Sequence, residues 1–414
     1  MTVGALTAYM MTIQEAIFYV KYDDASDDKQ QVLDDIIDAF SALKNGLSGT
    51  KTNFDSMITI FVNAKETFSL PDNVLDIFQK WCEETVNNAL PTAPPPLQVK
   101  CDEDFNQLIL KLEQCNINQL LAEASKSVEK YIDGNKDYYD LLLHWYRAWY
   151  RIDTFKYSDP SFVRYFGSLY TYLKNNTTRL SSFYNELCDY RSRFSLMIVL
   201  QHWLTFTPDL RFNGIEHTFP HYYDLDLISC SSNEVFVDCG AYTGDSIVDF
   251  LKMYGKKYKR IYAYELTPKT YRKLEHNLKD YKNIICRNAG VTDKNGYMSM
   301  LDMEGSEAGN RLVQEGGIMM PIVSLDNDIS EDISFIKMDI EGAEIAALHG
   351  AKNHIRRSHP KLAISLYHAI NHLLDIPELI RKIDPSYKFY FRNTGGAVQI
   401  KGVPFPTEYI LIAI

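Results

Sequence analysis

The chain has 414 residues, too many for one ordinary domain, and its 46% hydrophobic and 23% charged composition suits a soluble globular protein with a sizeable core. Its net charge of −11 is unevenly placed: residues 1–230 hold 20 Lys/Arg against 31 Asp/Glu, whereas residues 231–414 hold 23 of each. An acidic first part argues against a nucleic-acid substrate, which needs a basic footprint. No apolar run reaches the ~18–20 residues that span a bilayer, and the longest, Leu196–Leu204, is interrupted by Gln201 and His202. With no basic and apolar leader at the N-terminus, a cytoplasmic protein without a membrane span is expected. The cysteines (Cys82, Cys101, Cys115, Cys188, Cys230, Cys239, Cys286) are odd in number and lack CxxC spacing. They are expected to be unpaired thiols and not a zinc site.

In chain order, helices come first. Gln30–Leu47 places Val32, Ile36, Ile37, Phe40, Leu43 and Leu47 on one helical face, and Phe54–Phe68 and Asn73–Asn88 continue the pattern. The segment Leu90–Pro96 holds four prolines and is predicted to be a non-helical linker. Asp104–Leu121 and Asp137–Asp153 are again predicted helices. The second carries Tyr138, Tyr139, Trp145, Tyr146, Trp149 and Tyr150, for which a helix–helix core is the expectation over a sugar-stacking platform.

After Ser232 short β-branched and aromatic runs alternate with amphipathic helices. The predicted strands are Val235–Asp238, Arg260–Glu265, Asn283–Cys286, Phe335–Asp339, Lys361–Tyr367, Tyr387–Arg392 and Glu408–Ala413. Between them lie predicted helices at Ser246–Tyr254, Pro268–Asp280, Gly342–Arg357 and Ile376–Ile383. An irregular stretch between Gly290 and Asp326 holds two further strand-like runs, Gly296–Leu301 and Met319–Leu325. The alternation predicts βαβ units on a mostly parallel sheet, and the last two strands predict a terminal antiparallel hairpin. The expected division is a helical N-terminal domain over 1–90, a Pro-rich linker over 91–100, a helical region over 101–230 and the catalytic domain over 231–414.

The chemistry concentrates at strand ends. Val235–Asp238 runs into Gly240 and Gly244, and then a helix begins; such glycines let a backbone turn sharply and a ligand approach. Glu265 ends the next strand, where a carboxylate can accept both ribose hydroxyls of an adenosine. Asp238 before the turn and Asp245 after it would repel a pyrophosphate, and the third glycine of GxGxxG is missing. The combination therefore favours S-adenosylmethionine, which has an ammonium and a sulfonium but no phosphate, over a dinucleotide. Asn288, after the third strand, is placed to hydrogen-bond the adenine. The fourth strand ends in Asp339-Ile340-Glu341-Gly342-Ala343-Glu344, offering carboxylates close to the transferable methyl, although helix-dipole stabilisation alone would account for Glu344. His368, ending the fifth strand, is the candidate base for an acceptor hydroxyl. His368 and His372 have metal-compatible spacing, but without an HExxH glutamate no zinc site is expected.

These residues resemble the FkbM family of methyltransferases. The resemblance lies in FVDCGAYTGDS at 236–246, FIKMDIEGAEIAALHGA at 335–351, LAISLYH at 362–368 and IPELIRKIDPSYKFYFR at 376–392. It extends back through Tyr223–Asp226 to Phe183–Asp189, and residues 1 to about 180 fall outside it. It implies a Rossmann-like class I methyltransferase fold and methylation of a hydroxyl, often on a sugar or natural product; the region before it is expected to be all-α from its helical periodicity. Carried onto this chain, it implies a cofactor pocket of Asp238, Gly240, Gly244, Asp245, Ser246, Glu265 and Asn288, completed by Ala241, Tyr242, Leu266 and Ala289, with Asp339 at the cleft. Two departures stand out. Ala369-Ile370-Asn371-His372 lacks an acidic residue common after the YH pair, and Asn393 stands where many relatives have histidine; both positions are expected at the acceptor pocket.

The expectation is thus an S-adenosylmethionine-dependent O-methyltransferase acting on a sugar hydroxyl of a glycan or activated sugar, with His368, Asp339 and Glu341 catalytic. Alternatives are a polyketide, lipid or nitrogen acceptor, or a catalytically silent cofactor-binding module. The N-terminal helices are expected either to cap the acceptor side or to make a homo-oligomer.

Overall fold

The computed structural model describes residues 95–132, 136–206, 221–224, 226–255, 258–301, 310–393, 399–400, 403–404 and 408–414. The predicted helices before residue 89, the start of the proline segment and Cys82 lie outside them. Among the described residues the other six cysteines form no disulfide. No helix among the described residues is long and apolar enough to cross a membrane.

Helix α1 (Pro95–Gln114) begins inside the segment predicted to be non-helical. The reason is positional: amides of a first turn have no intrahelical acceptor, so Pro95 and Pro96 forfeit nothing there. The helix predicted over Asp104–Leu121 is two. Asn116 starts α2 (Ile117–Tyr131) with a capping box, its side chain accepting from the Gln119 amide at 3.0 Å while the Gln119 side chain accepts from the Asn116 amide at 2.9 Å. Then come α3 (Lys136–Tyr150), α4 (Pro160–Asn175), α5 (Thr177–Glu186) and α6 (Tyr190–Thr205). Helix α6 is buried nearly all round, packed on α1 and α2 and on the sheet strand formed by residues 389–393.

The sheet part follows as β1 (Val235–Cys239), α7 (Asp245–Tyr254), β2 (Arg260–Tyr264), α8 (Pro268–Leu278) and β3 (Ile284–Arg287). The irregular stretch forms a small second sheet of β4 (Gly290–Val291), β5 (Gly296–Leu301), β6 (Arg311–Val313) and β7 (Ile318–Val323), leading into the short α9 (Leu325–Asp328). The main sheet resumes with β8 (Phe335–Met338), α10 (Glu344–Gly350), α11 (Lys352–Ser358), β9 (Lys361–Ser365), α12 (His372–Ile383) and β10 (Phe389–Asn393). After the two-residue strands β11 (Gln399–Ile400) and β12 (Val403–Pro404), β13 (Tyr409–Ala413) closes it. The helix predicted over Gly342–Arg357 is broken at Ala351. There Gly350 ends α10 so close to Thr292 that a Cβ would stand 2.0 Å from its carbonyl oxygen.

The seven-stranded sheet runs β10-β13-β9-β8-β1-β2-β3, a Rossmann-like α/β arrangement. Strands β9, β8, β1, β2 and β3 are parallel neighbours. The predicted terminal hairpin exists with one refinement: β13 inserts between β10 and β9 and is antiparallel to both. The chain winds outward from β1 through β3, then returns to the other side of β1 at β8. That reversal opens a crevice beyond the carboxyl ends of β1 and β8, where open α/β sheets bind ligands.

The pleat sorts alternate residues into two cores. Val235, Val237, Cys239, Ile336 and Met338 face a core shared with the helices, whereas Phe236 and Phe335 face one with Phe250 and Tyr223. The helical part and the sheet are therefore packed on one continuous apolar cluster. An ionic knot reinforces it: Arg392 on β10, 2% exposed in its side chain, donates from Nε to Asp224 at 2.6 Å and from Nη2 to Asp189, the N-cap of α6, at 2.7 Å.

Candidate active site

One cleft of about 410 Å³ lies at the crevice, walled by residues from β2, β4, β6, β8, α3 and α7 and the loops between them. Its first side is the glycine turn after β1. Gly240 takes a φ of +80°, and a Cβ there would stand 1.8 Å from the Asp339 carbonyl oxygen, so no other residue fits. The amides of Gly240 and Ala241 both donate to the Tyr264 carbonyl at 2.9 Å, which ties the turn to the end of β2. Tyr242, strained at a φ of +46°, donates its amide to Glu265 Oε2 at 3.0 Å, and the Thr267 amide donates to Oε1 at 2.7 Å. Burial pushes Glu265 up to about 7, with those amides opposing.

Of the residues expected to hold a cofactor, Gly240, Tyr242, Asp245, Ser246, Glu265, Leu266, Ala289 and Asp339 line the cleft. Asp238, Ala241, Gly244 and Asn288 do not. Asp238 is fully buried beneath the turn, paired with Lys337 Nζ at 3.0 Å and accepting from the Ser246 hydroxyl. Lys337 and Ser246 thus meet its carboxylate from within the protein. Asn288 donates its amide to the carbonyls of Glu265 at 2.8 Å and Leu266 at 3.0 Å, so these donors fix the loop after β2.

The second side is side-chain chemistry at the ends of β8 and β9. Asp339 accepts from the Tyr222 hydroxyl at 2.6 Å and from Tyr367 at 3.1 Å. Glu341 sits in the left-handed region at a φ of +53°, a non-glycine conformation that costs about 1–3 kcal/mol and marks a constrained site. His368 is 5% exposed in its side chain; its Nε2 stands 3.1 Å from Asp339 Oδ1 and 3.6 Å from Glu341 Oε1. Its Nδ1 meets Glu344 Oε1 at 2.7 Å, and the same oxygen accepts the Ile340 amide at 3.0 Å. Glu344 therefore does more than face the helix dipole: it caps its own turn and orients His368.

Burial disfavours a charged His368, but Glu344, Asp339 and Glu341 outweigh it and hold the ring well above the ordinary histidine range. Burial likewise raises Asp339, yet the adjacent His368, Lys337 and Tyr222 hold it well below the carboxylate range. These surroundings favour the protonated ring, which counts against His368 as the base. The two departures are also corrected. Asn393 is fully buried, and neither it nor Ala369–His372 lies on the cleft wall. His372 Nδ1 instead approaches Glu344 at 3.4 Å.

With the glycine turn, the Asp339–Glu344 run and His368 converging on one crevice, the resemblance in sequence has its structural counterpart. Residues 238–387 match the methyltransferase FkbM domain. The helices before the FkbM domain lie outside that match. Among solved structures, the methyltransferase FkbM from Methylobacillus flagellatus KT is similar at 25% identity over 59% of this chain and 60% of that one, with a TM-score of 0.49. The chain thus spans about three fifths of that relative's length. An rRNA methylase from Streptococcus thermophilus aligns at 13% identity over 44% of this chain and 87% of that one, with a TM-score of 0.29. Fibrillarin from Aeropyrum pernix, solved with natively bound S-adenosyl-L-methionine, aligns at 12% identity over 45% and 70%, with a TM-score of 0.30. No curated protein matches the chain.

Several cleft residues escaped sequence reasoning. Lys337, inside the matched stretch, donates to the Gly240 carbonyl at 2.7 Å and stands 4.8 Å from the Tyr222 ring centroid. Burial disfavours its charge, but Asp238 and Asp339 hold the ammonium above its usual range. A lone charge in the apolar run Phe335–Met338 was the available signal. Glu408 lies outside the matched stretch but lines the same cleft, pushed up to about 7 by burial and the Asp339 charge; nothing in its local sequence marks it. Trp145 and Tyr150 also line the cleft, so the aromatic helix α3 is not purely core, although Tyr139 and Tyr146 are. The Tyr150 hydroxyl donates to the Tyr367 carbonyl at 3.2 Å and fixes α3 over the acidic side.

Proposed function

We propose that the protein is an S-adenosylmethionine-dependent O-methyltransferase acting on a sugar hydroxyl of a glycan or activated sugar. The supporting observation is that one cleft holds Asp245 and Glu265 on its glycine-turn side and Asp339, Glu341 and His368 on the other. Carboxylates at the start of α7 suit a cofactor without phosphate, since a pyrophosphate there would be repelled. Glu265 would hold the ribose hydroxyls, and the backbone at Gly240 would pass beneath the cofactor. When bound, the cofactor supplies a sulfonium methyl open to in-line attack by an oxygen. The protein's contribution is then orientation. Asp339, fixed by Tyr222, Tyr367 and His368, would accept a hydrogen bond from the acceptor, and His368 would hold that carboxylate in place. Glu408, on the cleft wall with a pKa near working pH, is the candidate proton acceptor.

Trp145, Tyr150 and Tyr222 give the acceptor side an aromatic wall of the kind that stacks on a sugar face, with polar groups among them. This favours the capping role for the helical region over 101–230, at least for α3. A cytoplasmic setting and a small-molecule or glycan partner accord with this chemistry.

The test is calorimetric titration with S-adenosylmethionine and, separately, NAD, followed by transfer of labelled methyl to free and nucleotide-linked sugars. Saturable binding of S-adenosylmethionine alone, weakened by Glu265→Ala, and label in a methyl ether support the proposal. Binding of NAD would refute the cofactor, and label in an amine or a lipid would refute the acceptor. Tight cofactor binding without transfer to any acceptor would mark a silent module.

A further inference from the structure

Three ligand-type side chains converge at the acceptor side, and one ring nitrogen among them is buried without a hydrogen bond. His368 Nε2 makes no hydrogen bond of acceptable geometry, although it is buried and lies between two carboxylates. The other ring nitrogen is committed. Glu344 Oε1 already accepts a backbone amide, so it acts as an acceptor toward Nδ1, and Nδ1 must be its donor. That leaves Nε2 as the nitrogen aimed at Asp339 and Glu341, and a cation bound between those carboxylates would displace its proton. A carboxylate holding the far nitrogen of an imidazole is the usual arrangement behind a metal-bound histidine, because it fixes both tautomer and ring direction.

We propose that Asp339, Glu341 and His368 hold a divalent cation, Mn²⁺ or Mg²⁺, whose open positions face the cleft and take the acceptor hydroxyl. One atom from each residue lies within 4.8 Å of the others. Ligands about 2.1 Å from an ion stand about 3.0 Å apart at adjacent octahedral positions. The 3.1 Å separation of Nε2 from Asp339 fits that spacing, and the 3.6 Å from Glu341 reaches it with a side-chain shift of about 0.6 Å. Two carboxylates and one imidazole with no thiolate among them suit a hard or borderline ion and exclude a structural zinc centre. The left-handed turn at Glu341 and Gly342 belongs to the same arrangement, since it accompanies the approach of the Glu341 carboxylate to the ring. His372, four residues on, is not a ligand: its Nδ1 faces Glu344 and it lies outside the cluster.

Whether the ion binds does not depend on the acceptor; what it does there rests on the methyl-transfer proposal. Coordinated to such an ion, a sugar hydroxyl is oriented and becomes more acidic, which eases passage of its proton to Glu408. A vicinal diol would fill two open positions at once, so the ion would favour acceptors with two adjacent hydroxyls.

The experiment uses the full chain, stripped with chelator and titrated with Mn²⁺ alone, with bound ion counted by electron paramagnetic resonance. One ion per chain is expected, weakened at least tenfold in Glu341→Gln and His368→Gln and unchanged in Glu265→Gln. On the unmodified protein, electron spin-echo modulation should report a directly bound imidazole nitrogen, a readout that does not depend on any variant folding. No stoichiometric Mn²⁺, binding indifferent to Glu341→Gln and His368→Gln, or a bound ion without nitrogen coupling overturns the proposal. S-adenosylmethionine titrated into the chelator-treated protein separates the two ideas: retained binding there with no Mn²⁺ site sinks the metal and leaves the cofactor standing.

Discussion

The two sides of the cleft are made of different materials. The glycine-turn side is backbone: amides of Gly240 and Ala241 on the Tyr264 carbonyl, amides of Tyr242 and Thr267 on Glu265. The acidic side is a chain of side chains, Tyr222 and Tyr367 to Asp339, then His368, then Glu344. A backbone site fails by steric conflict and takes the fold with it. A side-chain site fails chemically and leaves the fold behind. The contrast can be broken or sharpened by substitution.

The largest effect is expected from Gly240→Ala. A Cβ 1.8 Å from the Asp339 carbonyl oxygen, at a φ of +80°, should destabilise the protein by about 4 kcal/mol or prevent folding. A thermal midpoint within a few degrees of the parent would show that the turn is not rigid. Asp339→Asn should lower methyl transfer at least ~100-fold while changing stability far less than Gly240→Ala. A large fall in thermal midpoint there would erase the distinction between the two sides.

Glu265→Gln comes next: losing charge-assisted hydrogen bonds should weaken S-adenosylmethionine about 10- to 100-fold by calorimetry. The same residue predicts a pH dependence. Because burial pushes Glu265 up to about 7, the carboxylate is largely protonated below that pH and accepts fewer hydroxyls. Affinity should therefore rise from pH 6 to pH 8 and be flat in Glu265→Gln. A flat profile in the parent would show that the ligand sees a carboxylate ionised throughout. The smallest effect is that of Trp145→Ala, a few-fold rise in acceptor KM at unchanged cofactor affinity. If KM for every sugar is unmoved, α3 does not touch the acceptor.

The same division explains what was legible in sequence. Gly240, Glu265 and the strands that carry them follow from local spacing and period, and the Asp339–Glu344 run is contiguous. What could not be read was partnership across the fold. Asp238 has the right position for a ligand contact, but Lys337, 99 residues later, meets its carboxylate from within the protein. Asn288 sits in the expected loop, yet its donors close on the two preceding carbonyls it meets only after folding. His368 ends its strand as predicted, and only the three carboxylates gathered around it decide its proton. Glu408 and Trp145 are brought to the cleft from outside residues 238–387 by the order of strands and the packing of α3. The break at Asn116 was available from its N-x-x-Q spacing, while that at Gly350 depends on the distant Thr292.

The knot at Arg392 bears on heredity. Its guanidinium lies beyond the matched residues 238–387 at one end, and its partners Asp189 and Asp224 lie before them at the other. A gene fragment encoding only the matched stretch would lack all three, and one beginning at residue 231 would strand a buried cation without its counter-charges. A recombinant that swaps the sheet part keeps the knot only if its breakpoint falls before Asp189 or if the retained helices supply both carboxylates.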